Sequence, residues 1–139
     1  MRLIAFALAI AAMISTTAAA ASYDVVEKDI ATLQADLAAG RVTSEELVRA
    51  YLKRIDDIDR NGPALRSVLM VNPHALADAR ALDVERKSKG SRGPLHGIPI
   101  LVKDNIETAD PVPTTAGSLA LADNLSGRDA PAKIGRAHV

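Results

Sequence analysis

GPLHGIPILVKDNIETADPVPTTAGS, residues 93–118, is the stretch that decides the fold of this chain. It contains a short apolar run at residues 98–102, interrupted only by Pro99 and ended by Lys103. An apolar run of this length beside Gly and Pro is typical of a buried strand. In open α/β sheets, ligands bind beyond the carboxyl ends of the strands. We therefore expect Lys103 to be either a structural cation or a catalytic group.

The composition excludes several classes of function. The chain has 139 residues, which is enough for one small domain at most. Lys+Arg and Asp+Glu balance at 17 each and aromatic residues make up only 2%, so no nucleic-acid partner is expected. The chain has no cysteine, and its histidines show no metal-ligand spacing, so we expect no metal and no cofactor. These histidines are His74, His96 and His138.

Residues 1–21 have the three-part pattern of a secretory signal peptide. Arg2 supplies the positive start, residues 3–14 are apolar, and the alanines at 18–21 offer a small-residue cleavage site. The apolar part is too short to span a bilayer. We expect a cleaved signal and a periplasmic or secreted chain without a membrane anchor. An uncleaved anchor and a buried N-terminal helix are the alternatives.

Periodicity and end signals predict three helices and two strands after the leader. Thr43 and Glu46 have the spacing of a capping box, which places a helix start there. The predicted elements are a helix at 24–39 stopped by Gly40, a helix from Thr43 to about Arg60, a strand at 65–71, a helix opened by Asn72 and Pro73, and the strand at 98–102. The stretch VERKSKGSRG, residues 84–93, is predicted to be a solvated helix end and loop. This order indicates a layered α/β domain with the 98–102 strand in the sheet interior.

GPLHGIPILVKDNI followed by TTAGS resembles the amidase signature family, the serine hydrolases that use a Ser–cis-Ser–Lys triad. The resemblance runs from about Asp29 to Pro131 and includes the segment GRVTSEELVRAYLKRI. Together with the leader, it is most similar to exported members of the peptide-amidase type. It implies an α/β fold in which N-terminal helices lead into a mixed sheet, incomplete in this chain. It also implies hydrolysis of a carboxylic or peptide amide, so the expected partner is a small-molecule or peptide amide substrate.

By this resemblance, Lys103 corresponds to the catalytic lysine of the triad. A lysine accepts a proton only in its neutral form, and in water the pKa of a lysine is about 10.4. Burial in a dry site lowers the pKa of a lysine by up to roughly 3–5 units. The neutral amine can then take a proton relayed from a serine hydroxyl, which attacks the amide carbonyl while backbone N–H groups hold the oxyanion.

The polar residues around the lysine have simpler interpretations. Asp104 and Asn105 can pin the lysine loop through bonds from side chain to backbone. His96 is expected to be structural, because no second histidine or carboxylate is placed to make it a base. We expect a hydrogen-bonded loop role, rather than a nucleophilic one, for the hydroxyl residues Thr114, Thr115 and Ser118.

The other triad members of the family lie downstream on a Gly/Ser-rich segment, and no such run follows Ser118 in this sequence. Residues 22–132 are therefore predicted to be the N-terminal part of an amidase domain, inactive as written. Residues 133–139 are predicted to be a non-native tail, because the last six residues can be encoded as ATC GGA AGA GCA CAC GTC, which resembles a sequencing-library adapter.

Two other functions remain open from the sequence. The first is an exported, non-catalytic helical interaction module in which Lys103 is incidental. The second is the subunit of a tRNA-dependent amidotransferase that supplies ammonia by glutaminase action. The leader argues against that subunit, since its chemistry is cytosolic in the family. The sequence does not identify the amide that is cleaved or the oligomeric state.

Overall fold

The computed structural model describes residues 23–131, which form three α-helices joined by ordered loops. The predicted signal peptide and the predicted non-native tail lie outside the described residues. Between residues 23 and 131, no helix is long and apolar enough to cross a membrane. The helices are α1 (Ile30–Ala38), α2 (Ser44–Arg54), which continues as a π-helix (Ile55–Arg60), and α3 (Ala75–Lys89); a 3-10 turn follows at Leu119–Leu121.

Helix α1 begins later than predicted because Asp29 takes the capping position. The Thr32 N–H group donates to Asp29 Oδ1 at 2.7 Å, which satisfies one of the free donors of the first turn. Residues 24–29 form a turn ahead of the helix instead of its first turns. The predicted stop is confirmed: Gly40 lies just beyond α1 with a φ of +67°.

The predicted capping box opens α2. The Glu46 N–H group donates to Thr43 Oγ1 at 3.1 Å, and the Thr43 N–H group donates to Glu46 Oε2 at 2.8 Å. The helical segment ends at Arg60, as predicted, but its last six residues, Ile55–Arg60, are π-helical. The Asn61 N–H group donates to the Asp56 carbonyl at 3.0 Å and closes this wider end.

Helix α3 begins at Ala75, two residues after the predicted first position. Asn72 Oδ1 accepts the His74 N–H group at 2.8 Å, so Asn72 closes the turn before the helix. Helix α3 then contacts the start of α2 through Asp83. This carboxylate accepts the Ser44 N–H group at 2.7 Å and the Glu45 N–H group at 3.1 Å. An anionic side chain at a helix N-terminus is favourable, so Asp83 fixes the two helices together.

A small apolar core joins the helices to the 93–118 stretch. Ile98 is 4% exposed and is the member of this core that comes from that stretch. The core consists of Val25, Leu33, Leu37, Val42, Leu47 and Ile98. Burial of each such side chain contributes about 1.5–3 kcal/mol, so Ile98 holds the lysine segment against α1 and α2.

Neither predicted strand is present between residues 23 and 131. Residues 65–71 and 98–102 have no regular secondary structure, and Leu69 and Leu101 are 68% and 80% exposed. A strand requires a neighbouring strand whose backbone pairs with it, and the described backbone hydrogen bonds include no such ladder. The start of the first segment is held by Asp59 instead, which accepts the Ser67 N–H group at 2.7 Å and the Val68 N–H group at 3.1 Å.

Asp36 holds the N-terminal turn against α1. Its carboxylate accepts hydrogen bonds from the Tyr23 hydroxyl, from Lys28 Nζ at 3.0 Å and from Arg41 Nε at 2.8 Å. These three donors, the Tyr23 hydroxyl first, lower the pKa of Asp36 well below its ordinary value. The carboxylate therefore stabilises the folded chain in its ionised form.

We predict that Asp36→Asn lowers the urea midpoint at pH 7. Because the pKa of Asp36 is lower in the folded chain than the unfolded value of 3.8, its contribution is complete above that pH and is lost progressively as the pH falls below it. The difference in midpoint between the wild type and the variant should therefore shrink at pH 3. Asp123→Asn, at an exposed carboxylate, is the matched control and should show no such difference. A difference that stays constant from pH 7 to pH 3 would contradict this assignment.

Candidate functional site

Lys103 lies at the end of the segment that leaves the core at Ile98. Its side chain is exposed, and its carbonyl oxygen accepts the Ile106 N–H group at 2.9 Å, which closes a turn just after it. Within the described part of the chain, Lys103 has no salt bridge and no side-chain hydrogen bond. It lines an open groove of about 690 Å³ together with Lys28, Tyr51 and Ile106.

The segment ahead of the lysine is anchored by the ring of His96, which is fully buried. Nδ1 accepts the backbone N–H group of Arg92 at 3.0 Å, and Nε2 lies 3.0 Å from the Leu82 carbonyl oxygen. A backbone N–H group can only donate and a carbonyl can only accept, so these partners assign the proton to Nε2. Both ring nitrogens are engaged, which makes His96 structural, as predicted.

The backbone of His96 joins α1 to α3. Its carbonyl oxygen accepts Gln34 Nε2 from α1 at 3.0 Å and an Arg86 guanidinium nitrogen from α3 at 2.6 Å. The same Arg86 nitrogen lies 3.2 Å from Gln34 Oε1. A charged donor strengthens a hydrogen bond to a carbonyl, so this three-way contact fixes the position of the chain just before the lysine segment.

Gly97 allows the chain to turn between this anchor and the core. Its φ is +78°, in the left-handed region that favours glycine. A Cβ at this position would overlap the hydroxyl of Ser44, which is fully buried at the first residue of α2. The Ser44 hydroxyl has no hydrogen-bond partner among residues 23–131. The close approach of Gly97 to Ser44 therefore sets how near the lysine segment comes to α2.

The loop after the lysine is pinned as predicted. The Asp104 carboxylate accepts the N–H groups of Thr115 and Gly117 at 3.0 and 3.1 Å, and it also accepts the Thr115 hydroxyl. Thr114 is held by its backbone, which pairs with Asn124 through bonds of 3.0 and 3.1 Å. These contacts agree with loop roles for both threonines.

Two other predicted loop residues make fewer contacts. Asn105 is exposed and makes no side-chain hydrogen bond within residues 23–131, so the prediction that its side chain pins the loop is wrong. Ser118 is also exposed, and its N–H group donates to the Thr115 carbonyl at 2.9 Å. Ser118 therefore closes the turn through its backbone, and in the described part of the chain its hydroxyl has no neighbouring base of the kind a nucleophile needs.

Sequence reasoning missed three residues of the anchor. Gln34, Ser44 and Arg86 lie 62, 53 and 10 positions from the backbone they contact, so no local spacing indicates the contacts. Arg86 belongs to the stretch at 84–93, which was predicted to be solvated, but its side chain is half-buried against His96. Long side chains of this kind bury their stems while the charged head finds a partner, and such burial is not visible in composition.

A second groove runs along the other side of the lysine segment. It has a volume of about 560 Å³ and is mostly apolar. Its walls include Val48, Leu65, Met70, Ile100 and Val102. No cluster of side chains suited to a metal ion occurs between residues 23 and 131. The chemistry that the described residues offer at this site is therefore that of one unpaired amine beside apolar walls.

Comparison with known proteins gives consistent matches. Residues 46–132 match the family described as Amidase. The chain is 50% identical over 94 residues to a glutamyl-tRNA(Gln) amidotransferase subunit of Chloroflexus aurantiacus, covering 67% of this chain and 18% of that protein. The structure is similar to the native peptide amidase from Stenotrophomonas maltophilia, with a TM-score of 0.69 and 52% identity over 71% of this chain and 20% of that one.

Another solved relative supports the same fold. An amidase family protein from Bacillus anthracis matches with a TM-score of 0.71 and 43% identity, covering 76% of this chain and 21% of that protein. The chain thus spans about a fifth of the length of the curated relatives it matches. The family match at residues 46–132 includes Lys103 and the loop after it.

We predict that Gly97→Ala destabilises the chain more than Gly127→Ala. Both glycines have positive φ, so both variants incur a cost of about 1–2 kcal/mol in the left-handed region. Only Gly97 also faces the Ser44 hydroxyl, which adds about 1–3 kcal/mol of overpacking. Urea denaturation measures both free energies of unfolding. Adding Ser44→Ala to Gly97→Ala should recover part of the loss, and equal losses for the two glycine variants would refute the close approach.

We also predict that the His96 ring carries its proton on Nε2. The reason is that Arg92 N–H donates to Nδ1 and the Leu82 carbonyl accepts from Nε2. The ¹⁵N spectrum of a histidine-labelled sample at neutral pH should show a protonated Nε2 and an unprotonated Nδ1. His74, which is exposed, provides the reference for a ring that exchanges between tautomers. A proton found on Nδ1 would contradict the anchor.

Proposed function

Because the chain belongs to the amidase family, we propose that the protein hydrolyses a carboxylic or peptide amide to an acid and ammonia or an amine. The observation that carries this proposal is the lysine segment. It is fixed at His96 and Ile98 by buried contacts, and it ends in an amine that has no counter-ion within the described residues. A proton acceptor must be held in place, and the buried contacts at His96 and Ile98 fix the start of the segment that carries this amine.

In the proposed reaction, Lys103 acts as the base of a Ser–cis-Ser–Lys triad. The neutral amine takes a proton through the bridging serine from the nucleophilic serine, whose oxygen forms a bond to the amide carbonyl carbon. As the tetrahedral intermediate collapses, the proton returns from Lys103 through the bridging serine to the amide nitrogen, the C–N bond breaks, and ammonia or an amine leaves. Water, giving a proton to the same base, then attacks the acyl-serine carbonyl; the C–O bond to the serine breaks, the acid is released and the serine regains its proton. We expect residues 22–132 by themselves to be inactive, because they include no Gly/Ser-rich segment of the kind that carries the two serines.

We also propose that residues 98–102 form a buried strand of a mixed α/β sheet in the whole protein. Residues 98–102 carry an apolar pattern, and Leu101 remains 80% exposed between the two grooves. A buried strand position would remove this apolar surface from water and satisfy its backbone groups. It would also place Lys103 at the carboxyl end of a strand, in the desolvated setting that favours a neutral amine.

A chimera tests the proposed role of Lys103. Residues 30–131 of this chain replace the matching fifth of the Stenotrophomonas maltophilia peptide amidase, which is 52% identical. We expect the chimera to release ammonia from a C-terminally amidated dipeptide. Lys103→Ala in the chimera should lower kcat by at least about 100-fold, because loss of a general base costs about 10²–10⁴ in rate.

The matched control for the chimera is Lys89→Ala, at an exposed lysine that ends α3. It should leave kcat within about twofold, as expected for a surface position. Residues 22–131 alone should release no ammonia. A folded chimera whose kcat survives Lys103→Ala would overturn the assignment of the base. A folded chimera without any activity would favour a non-catalytic interaction module.

A second candidate is the glutaminase subunit of a tRNA-dependent amidotransferase. The 50% identity to the amidotransferase subunit of Chloroflexus aurantiacus favours it. The predicted secretory leader supports the exported amidase instead, and with it a periplasmic or secreted location. Release of ammonia by the chimera from free glutamine, at a higher kcat/KM than from the dipeptide amide, would favour the amidotransferase subunit.

A further inference from the structure

Asp104 follows Lys103 directly in the sequence, but its carboxylate is bound elsewhere. Oδ1 accepts the Thr115 N–H group at 3.0 Å, and Oδ2 accepts the Gly117 N–H group at 3.1 Å. The Thr115 hydroxyl donates to Oδ2 as well. Three donors from one turn thus occupy the carboxylate, and the described residues provide it with no cationic partner.

The turn is shaped to receive this carboxylate. Ala116 and Gly117 have φ values of +50° and +76°, so two consecutive residues are left-handed. The N–H group of Ala116 donates to the Asp104 carbonyl oxygen at 3.1 Å. Three successive N–H groups therefore point towards Asp104, as in the backbone nests that bind anions. A left-handed alanine costs about 1–2 kcal/mol, and the bonds to Asp104 offset this cost.

The consequence concerns the neighbouring amine. A carboxylate paired with a lysine stabilises the charged ammonium and disfavours the neutral form that accepts protons. Lys28 and the phenol of Tyr51 line the same groove as Lys103, and Asp104 is its direct neighbour in the sequence. Lys28 is already bound to Asp36 at 3.0 Å. Asp104 is the carboxylate next to Lys103 in the sequence, and its oxygens are bound by the turn at residues 115–117.

We propose that the Thr115 hydroxyl and the 115–117 backbone hold the Asp104 carboxylate away from Lys103, which makes Thr115 and Asp104 positioning residues that keep the lysine without a counter-ion. The importance of this arrangement for catalysis rests on the proposed function, in which Lys103 is the base. The hydrogen bonds that hold the Asp104 carboxylate do not depend on that function. The Thr115 hydroxyl is the first of the donors that lower the pKa of Asp104, so its loss should affect the carboxylate measurably.

The test is an NMR titration of the 139-residue chain. The ¹³Cε shift of Lys103 follows loss of the lysine proton, and the ¹³Cγ shift of Asp104 follows the carboxylate. In Thr115→Val, we expect Asp104 to protonate at a higher pH than in the wild type. We expect Lys103 to lose its proton at a pH higher by about 0.2–0.7 units, as for a newly formed exposed ion pair. Thr115→Ser, which keeps the hydroxyl, should restore both midpoints.

Two further variants isolate the cause. Thr114→Val removes the hydroxyl of the adjacent threonine, which does not contact Asp104, and should leave both midpoints unchanged. Adding Asp104→Asn to Thr115→Val should abolish the upward shift at Lys103, because the carboxylate is then absent. Thr115→Ala replaces Thr115→Val if the valine chain loses its helical circular dichroism.

Three results would overturn the proposal. In the first, Asp104 or Lys103 titrates as in the wild type after the Thr115 hydroxyl is removed. In the second, the lysine shift persists in the Asp104→Asn background. In the third, Thr114→Val produces an equal shift. None of these measurements requires hydrolysis. An inactive chimera with the expected titrations would therefore contradict the amidase proposal. It would still support the proposal that the turn at residues 115–117 holds the Asp104 carboxylate.

Discussion

The contact between the His96 carbonyl, Gln34 and Arg86 is the constraint on which the rest of the structure depends. It joins α1 to α3 at the point where the chain enters the lysine segment. The His96 ring fills the space beneath it with both nitrogens bonded. Hydrogen bonds in a buried site are stronger than in water, so these contacts rigidify the junction, although Arg86 Nε is buried without a hydrogen-bond partner among the described residues. His96 supplies both the buried ring and the carbonyl oxygen, so a single residue fixes the chain to α1 and α3.

Beyond His96, the apolar residues of the lysine segment are only partly covered. Ile98 is buried, but the apolar residues after it line two grooves and remain partly exposed. Apolar surface of this kind is stabilised only when another layer covers it, and a sheet requires several strands to do so. The described residues provide helices and loops, but no strand, beside the segment. The relatives that share this fold are about five times as long as the matched part.

The charges near the lysine follow one pattern. Asp36 is bound to Lys28 and Arg41, and Asp104 is bound to the turn at residues 115–117. Each carboxylate is satisfied by a partner other than Lys103. An exposed ion pair contributes at most about 1 kcal/mol, so these contacts matter less for stability than for the state of the remaining amine. Among residues 23–131, they leave Lys103 as a cation without a partner in its groove.

The sequence by itself determined the three helices, the capping box of α2, the end of α1 and the family, because these depend on local signals. Thr43 and Glu46 predicted the capping box, Gly40 predicted the end of α1, and the motif around Lys103 indicated the amidase family, as found. It could not determine the strands, since an apolar run becomes a strand only when a partner pairs with it. Only the tertiary structure decided that Arg86 and Gln34 meet at His96 and that the Asp104 carboxylate binds the turn at residues 115–117, because those bonds join residues 10 to 62 positions apart.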